Sequence, residues 1–173
     1  MVLTRDELIQ ALQQEVRILL HLAGKVRPAD LEYRPTPKQR STLELLRYMA
    51  IMGPTQLAVI KANGFNRAAL SATWSPAEAV AKTMTCEQAV AAIAAQAGSY
   101  VRELGTWRDE DFRAEIDVFG RPSTRGAMII SQVLGGHAAY RTQLFLYLKS
   151  CGHDELGTMN LWGGTDMPPR PPA

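Results

Sequence analysis

Four short motifs mark where helices begin. Thr4-Arg5-Asp6-Glu7, Ser41-Thr42-Leu43-Glu44 and Ser75-Pro76-Ala77-Glu78 each set a hydroxyl residue three positions before a carboxylate. In this arrangement the two side chains satisfy backbone amides that a helix start leaves without partners. Thr85-Cys86-Glu87-Gln88 repeats it with an amide in the fourth position. Behind the first motif Ile9, Leu12, Val16, Leu19 and Ala23 recur at spacings of three and four, an inward stripe of about five turns. His21 falls on the opposite, polar line and reads as solvated. Leu45, Tyr48 and Met52 share a face behind the second motif, and Gly53-Pro54 predicts a kink or break before the pattern resumes to Asn63-Gly64. The third motif predicts a short helix with Trp74 just before it. The fourth opens an alanine-rich helix with Val90, Ile93, Ala97, Tyr100 or Val101, and Leu104 inward.

A further long helix is predicted from Ser123 to Cys151. One stripe runs Ile130, Leu134, His137, Arg141, Leu144, Leu148 and Cys151; its neighbour runs Ile129, Val133, Gly136, Tyr140, Gln143 and Tyr147. Polar groups therefore turn inward at one height of the helix. Gly135 and Gly136 stand beside them, each costing roughly 1 kcal/mol relative to alanine inside a helix. Such a pair gains close packing or room for a bound group.

Between these segments lie irregular connectors. Lys25 to Arg40 holds Pro28, Pro35 and Pro37, which forbid a continuous helix. Its Lys25, Arg27, Arg34, Lys38 and Arg40 outnumber Asp30 and Glu32, reading as a solvated loop or, more sharply, as the rim of an anionic-ligand site. Trp107 to Pro122 contains an alternating Ala114, Ile116, Val118 run that predicts a short extended piece. Nothing after Cys151-Gly152 is periodic, and Pro168 to Ala173 contains four prolines. The expected architecture is all-α: a four-helix bundle with long crossover connections over 1–152, and an irregular Pro-rich tail over 153–173, disordered or draped along the bundle and pinned by Leu161 and Trp162.

At 173 residues the chain fits one domain. A net charge of +2 gives no electrostatic case for nucleic acid or an anionic membrane surface. Two cysteines make no disulfide framework. There is no 18-residue apolar run, and Asp6 and Glu7 stand where a secretory signal would be basic. The expected compartment is the cytoplasm, with no membrane partner.

Two stretches carry a resemblance: Leu31-Glu-Tyr-Arg-Pro-Thr-Pro-Lys-Gln-Arg-Ser41-Thr-Leu-Glu-Leu-Leu-Arg-Tyr48, and Tyr140-Arg-Thr-Gln-Leu-Phe-Leu-Tyr-Leu-Lys149. Both resemble segments of the DinB-like family, the second its last-helix signature. The resemblance implies a four-helix bundle, frequently a homodimer, with a divalent metal such as zinc or nickel. Three histidines hold that metal, one from the second helix and two, four residues apart, from the last. It also implies metal-dependent hydrolysis or thiol-dependent transfer and isomerisation. The present sequence departs from the pattern at the ligands. Aligned on Arg141 and Gln143, the three positions hold Tyr48, Gly136 and Tyr140. A shift of one residue brings in His137 but sets Arg141 at its partner position, and a guanidinium cannot coordinate a cation. The expected metal set is therefore none, and the expected cofactor none.

Two readings follow, and the residues leave open whether the protein is an enzyme. In the first, Tyr48, His137, Tyr140, Arg141 and Gln143 form a metal-free pocket for a small anionic ligand, with Arg141 as charge partner. In the second, the site has decayed and the stripe is core or dimer interface. Arg141 should then pair with an acid such as Glu44, with no cavity left. A hydrolase or thiol S-transferase like the histidine-bearing relatives ranks third.

Overall fold

The computed structural model describes residues 3–167. Helix α1 (Arg5–Ala23) begins at the Thr4 capping box, and α2 (Thr42–Lys61) at the Ser41 box. Between them Pro28–Asp30 makes one 3-10 turn. Helix α3 (Arg67–Ala81) follows, then α4 (Cys86–Leu104) from the Thr85 box. After the single turn α5 (Asp109–Arg113), a last long helix is built from α6 (Arg125–Met128), a π-helical segment Ile129–Leu134 and α7 (Gly135–Ser150). The π-helical turn Met159–Gly163 comes last. α1, α2, α4 and the last helix form the four-helix bundle, α1 packing on α4 and α7, and α2 on α3, α4 and the last helix. No helix among the described residues is long and apolar enough to cross a membrane.

The extended piece expected near Ile116 is β2 (Glu115–Val118), with Ile116 buried. It pairs antiparallel with β3 (Arg121–Thr124) and parallel with β1 (Gly64–Phe65). Phe119 and Gly120 turn the hairpin at φ 53° and 82°.

Three local expectations are corrected. Ser75 caps nothing: α3 starts earlier, where the Asn66 carboxamide accepts from the Ala69 amide at 2.9 Å. It runs through Pro76 to Ala81. α2 does not break at Gly53-Pro54. Proline has no amide to give the carbonyl one turn back, and Gln96 of α4 supplies the donor. Its Nε2 reaches the carbonyls of Met49 at 2.9 Å and Ala50 at 3.0 Å. Lastly, Ile130 is 46% exposed, although its stripe predicts it to face inward. In the π segment the Gly135 amide bonds the Ile130 carbonyl five residues back, so the inward line becomes Met128, Ile129, Val133, His137 and Arg141.

The stretch beyond Cys151 is folded back as far as residue 167. The buried Leu156 and several polar groups pin it. His153, buried, sets Nε2 at 2.8 Å from the Asp30 carboxylate. Burial alone would raise Asp30, but hydrogen bonds from Arg27 and His153 hold it at about 2. Asn160, also buried, donates to His21 Nε2 at 3.0 Å and to Asp166 at 2.9 Å, so His21 is covered rather than solvated. Leu161 is half-buried, while Trp162 stays 65% exposed. The prolines from 168 onward lie outside the described residues.

Gly53 is where α2, α4 and the last helix meet most closely. A Cβ there would stand 2.0 Å from the Tyr100 hydroxyl and 2.9 Å from His137 Nε2. Gly53→Ala is expected to lower stability by roughly 2–4 kcal/mol in urea denaturation, despite alanine's better helix propensity. A neutral or stabilising result would show that α2 and α4 can separate at this point at no cost.

Candidate functional site

The inward polar residues of the last helix divide among separate environments. His137 is fully buried, and its Nε2 lies 2.6 Å from the Tyr100 hydroxyl. That hydroxyl donates to Gln96 Oε1 at 3.0 Å, and the Gln96 amide is held by the two α2 carbonyls. The chain of bonds has one consistent polarity. Gln96 donates through nitrogen, so its oxygen accepts from Tyr100, whose oxygen must accept from a protonated His137 Nε2. Nδ1 is then a bare lone pair, and it has no partner. Burial pushes His137 down to about 4 and Tyr100 above its ordinary value.

Arg141 faces α1. Its guanidinium forms a two-point ion pair with Glu15, the second contact at 3.3 Å, and donates to the Leu161 carbonyl. The exposed ring of Trp162 lies 5.1 Å away. Glu15, not Glu44, is thus the carboxylate partner; Glu44 lies at 3.4 Å from Arg34. Gln143 donates to the Tyr147 hydroxyl at 2.7 Å, which donates to the Arg40 carbonyl at 3.1 Å. His137, Arg141 and Gln143 are therefore committed to α4, α1 and the first connector, and do not form one pocket with the tyrosines.

Tyr48 and Tyr140 do meet. Their hydroxyls are 3.4 Å apart and their rings pack edge to face at 4.8 Å. Trp74 of α3 stacks on the other face of Tyr48, and the Arg40 guanidinium sits 4.0 Å from its centroid. Burial, then the neighbouring Tyr140 hydroxyl, pushes Tyr48 above the usual phenol range. Tyr48 is thus a hydrogen-bonding phenol, not a base.

These two rings wall a cleft of about 240 Å³ between α2 and the last helix, which also includes Met52, Gln56, Gly135 and Gly136. The glycines open it: a Cβ on Gly136 would come within 3.0 Å of Met52 Sδ. Gln56 Oε1 is buried here with no hydrogen-bond partner. Sequence reading passed over Gln56, although Tyr48, Met52 and Gln56 recur every fourth residue and so share one helix face.

The cleft contains Tyr48, Gly136 and Tyr140, the positions where the family pattern sets its metal ligands. The donor set does not fit a divalent cation: two phenols and a glycine offer neither imidazole nor carboxylate. Among the described residues no group of three or more His, Cys, Asp or Glu could hold a metal ion.

Solved structures resemble this arrangement over nearly the whole chain. A DinB-like protein, YjoA, from Bacillus subtilis superposes with a TM-score of 0.67 at 21% identity, over 87% of this chain and 94% of that one. The fold is DinB-like. A protein assigned to the DinB family from Exiguobacterium sibiricum superposes with a TM-score of 0.66 at 19% identity, over 91% and 99% of the two chains. No protein-family profile and no curated protein matches the sequence. Within this DinB-like fold, the cleft and the histidine network are separate structures on either side of the α7 N-terminus.

Two measurements test this division. His137 binds its proton more weakly folded (about 4) than unfolded (6.5), so the unfolded state takes up more protons as pH falls. Its stabilising share is complete above about pH 6.5 and is lost from there down to about pH 4, on the order of 3 kcal/mol in total. Urea midpoints should fall between pH 7.5 and 4.5, and His137→Leu should flatten the slope; an unchanged slope would mean that another group titrates. Glu15→Gln should cost roughly 3 kcal/mol by leaving Arg141 buried without its carboxylate, and Arg141→Met in the same chain should recover part of it. Additive losses would show that Arg141 and Glu15 are not coupled.

Proposed function

We propose that this DinB-like bundle is a metal-free small-molecule-binding protein whose ligand occupies the cleft between α2 and the last helix. The observation that carries the reading is Gln56 Oε1. A buried acceptor without a partner costs about 1–3 kcal/mol, and in a cleft that the paired glycines keep open a ligand donor removes that cost. The Tyr48 and Tyr140 hydroxyls add donor and acceptor capacity, while Met52 and the ring faces supply apolar surface. No charged side chain borders the cleft, so the group bound there is neutral and polar, of the size of a primary amide on an aromatic ring. Arg141, engaged by Glu15, is not the ligand's charge partner.

Gln56→Leu separates binding from folding. Removing an unpaired polar group should stabilise the free protein by about 1 kcal/mol while weakening ligand binding at least about tenfold. Benzamide and a panel of related neutral aryl amides, titrated by NMR, should shift the Gln56 side-chain amide and the Trp74 indole. Binding retained in Gln56→Leu, or no member of the panel perturbing either group, rejects the cleft as a ligand site.

A further inference from the structure

The second cavity, of about 390 Å³, lies between α2 and α3, and the Tyr48 ring is a wall common to it and to the proposed ligand cleft. It is bordered by Arg40, Arg47, Lys82, Glu44 and Glu78. Part of this charge is already matched. Glu44 faces Arg34 at 3.4 Å and accepts from the Ser41 amide at 2.8 Å. Glu78 of α3 and Lys82 just beyond it are four residues apart, a spacing at which opposite charges attract weakly, and the Glu78 carboxylate also acts on the Tyr48 phenol.

Arg40 and Arg47 remain. Among the described residues Arg40 has no carboxylate within ion-pair distance; its guanidinium sits 4.0 Å from the centroid of the Tyr48 ring, which stacks on Trp74. Arg47 engages Nε with the Met84 carbonyl at 2.8 Å, and among the described residues its terminal nitrogens have no hydrogen-bond acceptor. Of the other basic residues of the connector, Lys25 is engaged with Asp166, Arg27 with Asp30 and Arg34 with Glu44, and Lys38 does not border the cavity. Of the rim suggested by composition, Arg40 alone borders this cavity.

The geometry points to an anion subsite at Arg40 and Arg47, so that the ligand is amphiphilic: a neutral polar end against Gln56 and a carboxylate or phosphate against the two guanidiniums, bridged across Tyr48. Planar guanidiniums bind both anions through paired N–H groups, and one braced on aromatic rings loses little side-chain freedom in doing so. This rests on the cleft being the ligand site.

The test compares 4-carbamoylbenzoate with its neutral counterpart, terephthalamide, by NMR titration of the full chain, with benzamide as the reference for the Gln56 end. The benzoate should bind at least tenfold tighter than the diamide, with the advantage shrinking as salt rises. Arg40→Met, an exposed position safe for folding, should reduce that advantage severalfold, and Arg40→Met with Arg47→Met should abolish it, leaving benzamide unaffected. A tighter 4-carbamoylphenyl phosphate would assign the subsite to phosphate, and a tighter benzoate to carboxylate. Equal binding of acid and diamide, with benzamide still bound, overturns the anion subsite alone. Loss of benzamide binding as well would instead overturn the cleft.

Discussion

One buried chain of hydrogen bonds holds the bundle at its centre: His137 to Tyr100, Tyr100 to Gln96, and Gln96 to the α2 carbonyls beside Pro54. Each polar group in it would be costly to bury alone, and each relieves the next. Pro54 removes an amide from α2, and the Gln96 carboxamide on α4 answers the loss. Gly53 lets the Tyr100 hydroxyl come close enough to close the chain. Three helices are thereby fixed at one height, and only the His137 Nδ1 lone pair is left over. The network is directional as well as cohesive, since reversing any one donor leaves two acceptors facing each other.

With α2 and the last helix held in this way, the π segment and the two glycines shape what lies beside them. The extra residue per turn rotates Ile130 outward and His137 fully inward. Gly135 and Gly136 then leave a face without side chains opposite Met52 and Gln56. The cleft is a consequence of backbone geometry, lined by side chains that carry no charge. Its location coincides with the ligand positions of the family pattern, but its chemistry differs: phenols, an amide and a thioether in place of imidazoles.

Arg141 shows how the same helix serves a second purpose. It joins α1, through Glu15, to the segment after α7, through the Leu161 carbonyl. His153 and Asn160 make parallel ties to Asp30 and His21. Residues with a catalytic look in the sequence thus bind the chain's own C-terminal segment to the first helix and first connector. Each has a partner more than a hundred residues away in sequence, apart from Leu161.

The helices and their order were legible because caps and stripes are local. The boxes at Thr4, Ser41 and Thr85 stand where helices start, and the spacing of Ile93, Tyr100 and Leu104 marks a buried face. The cleft was legible in part: periodicity puts Tyr48 and Met52 on one face of α2, and Gly136 and Tyr140 on one face of the last helix, while packing sets those faces opposite each other. What tertiary structure decided was partnership. No spacing rule tells that Arg141 meets Glu15, that His137 meets Tyr100, or that Gln96 mends α2 at Pro54, since these depend on how helices distant in sequence cross. A one-residue π insertion, invisible in an apolar run, was enough to change which residues face inward. Sequence therefore determined the elements and their polarity, while the packing of distant helices determined which polar groups were spent on the core and which were left lining the cleft.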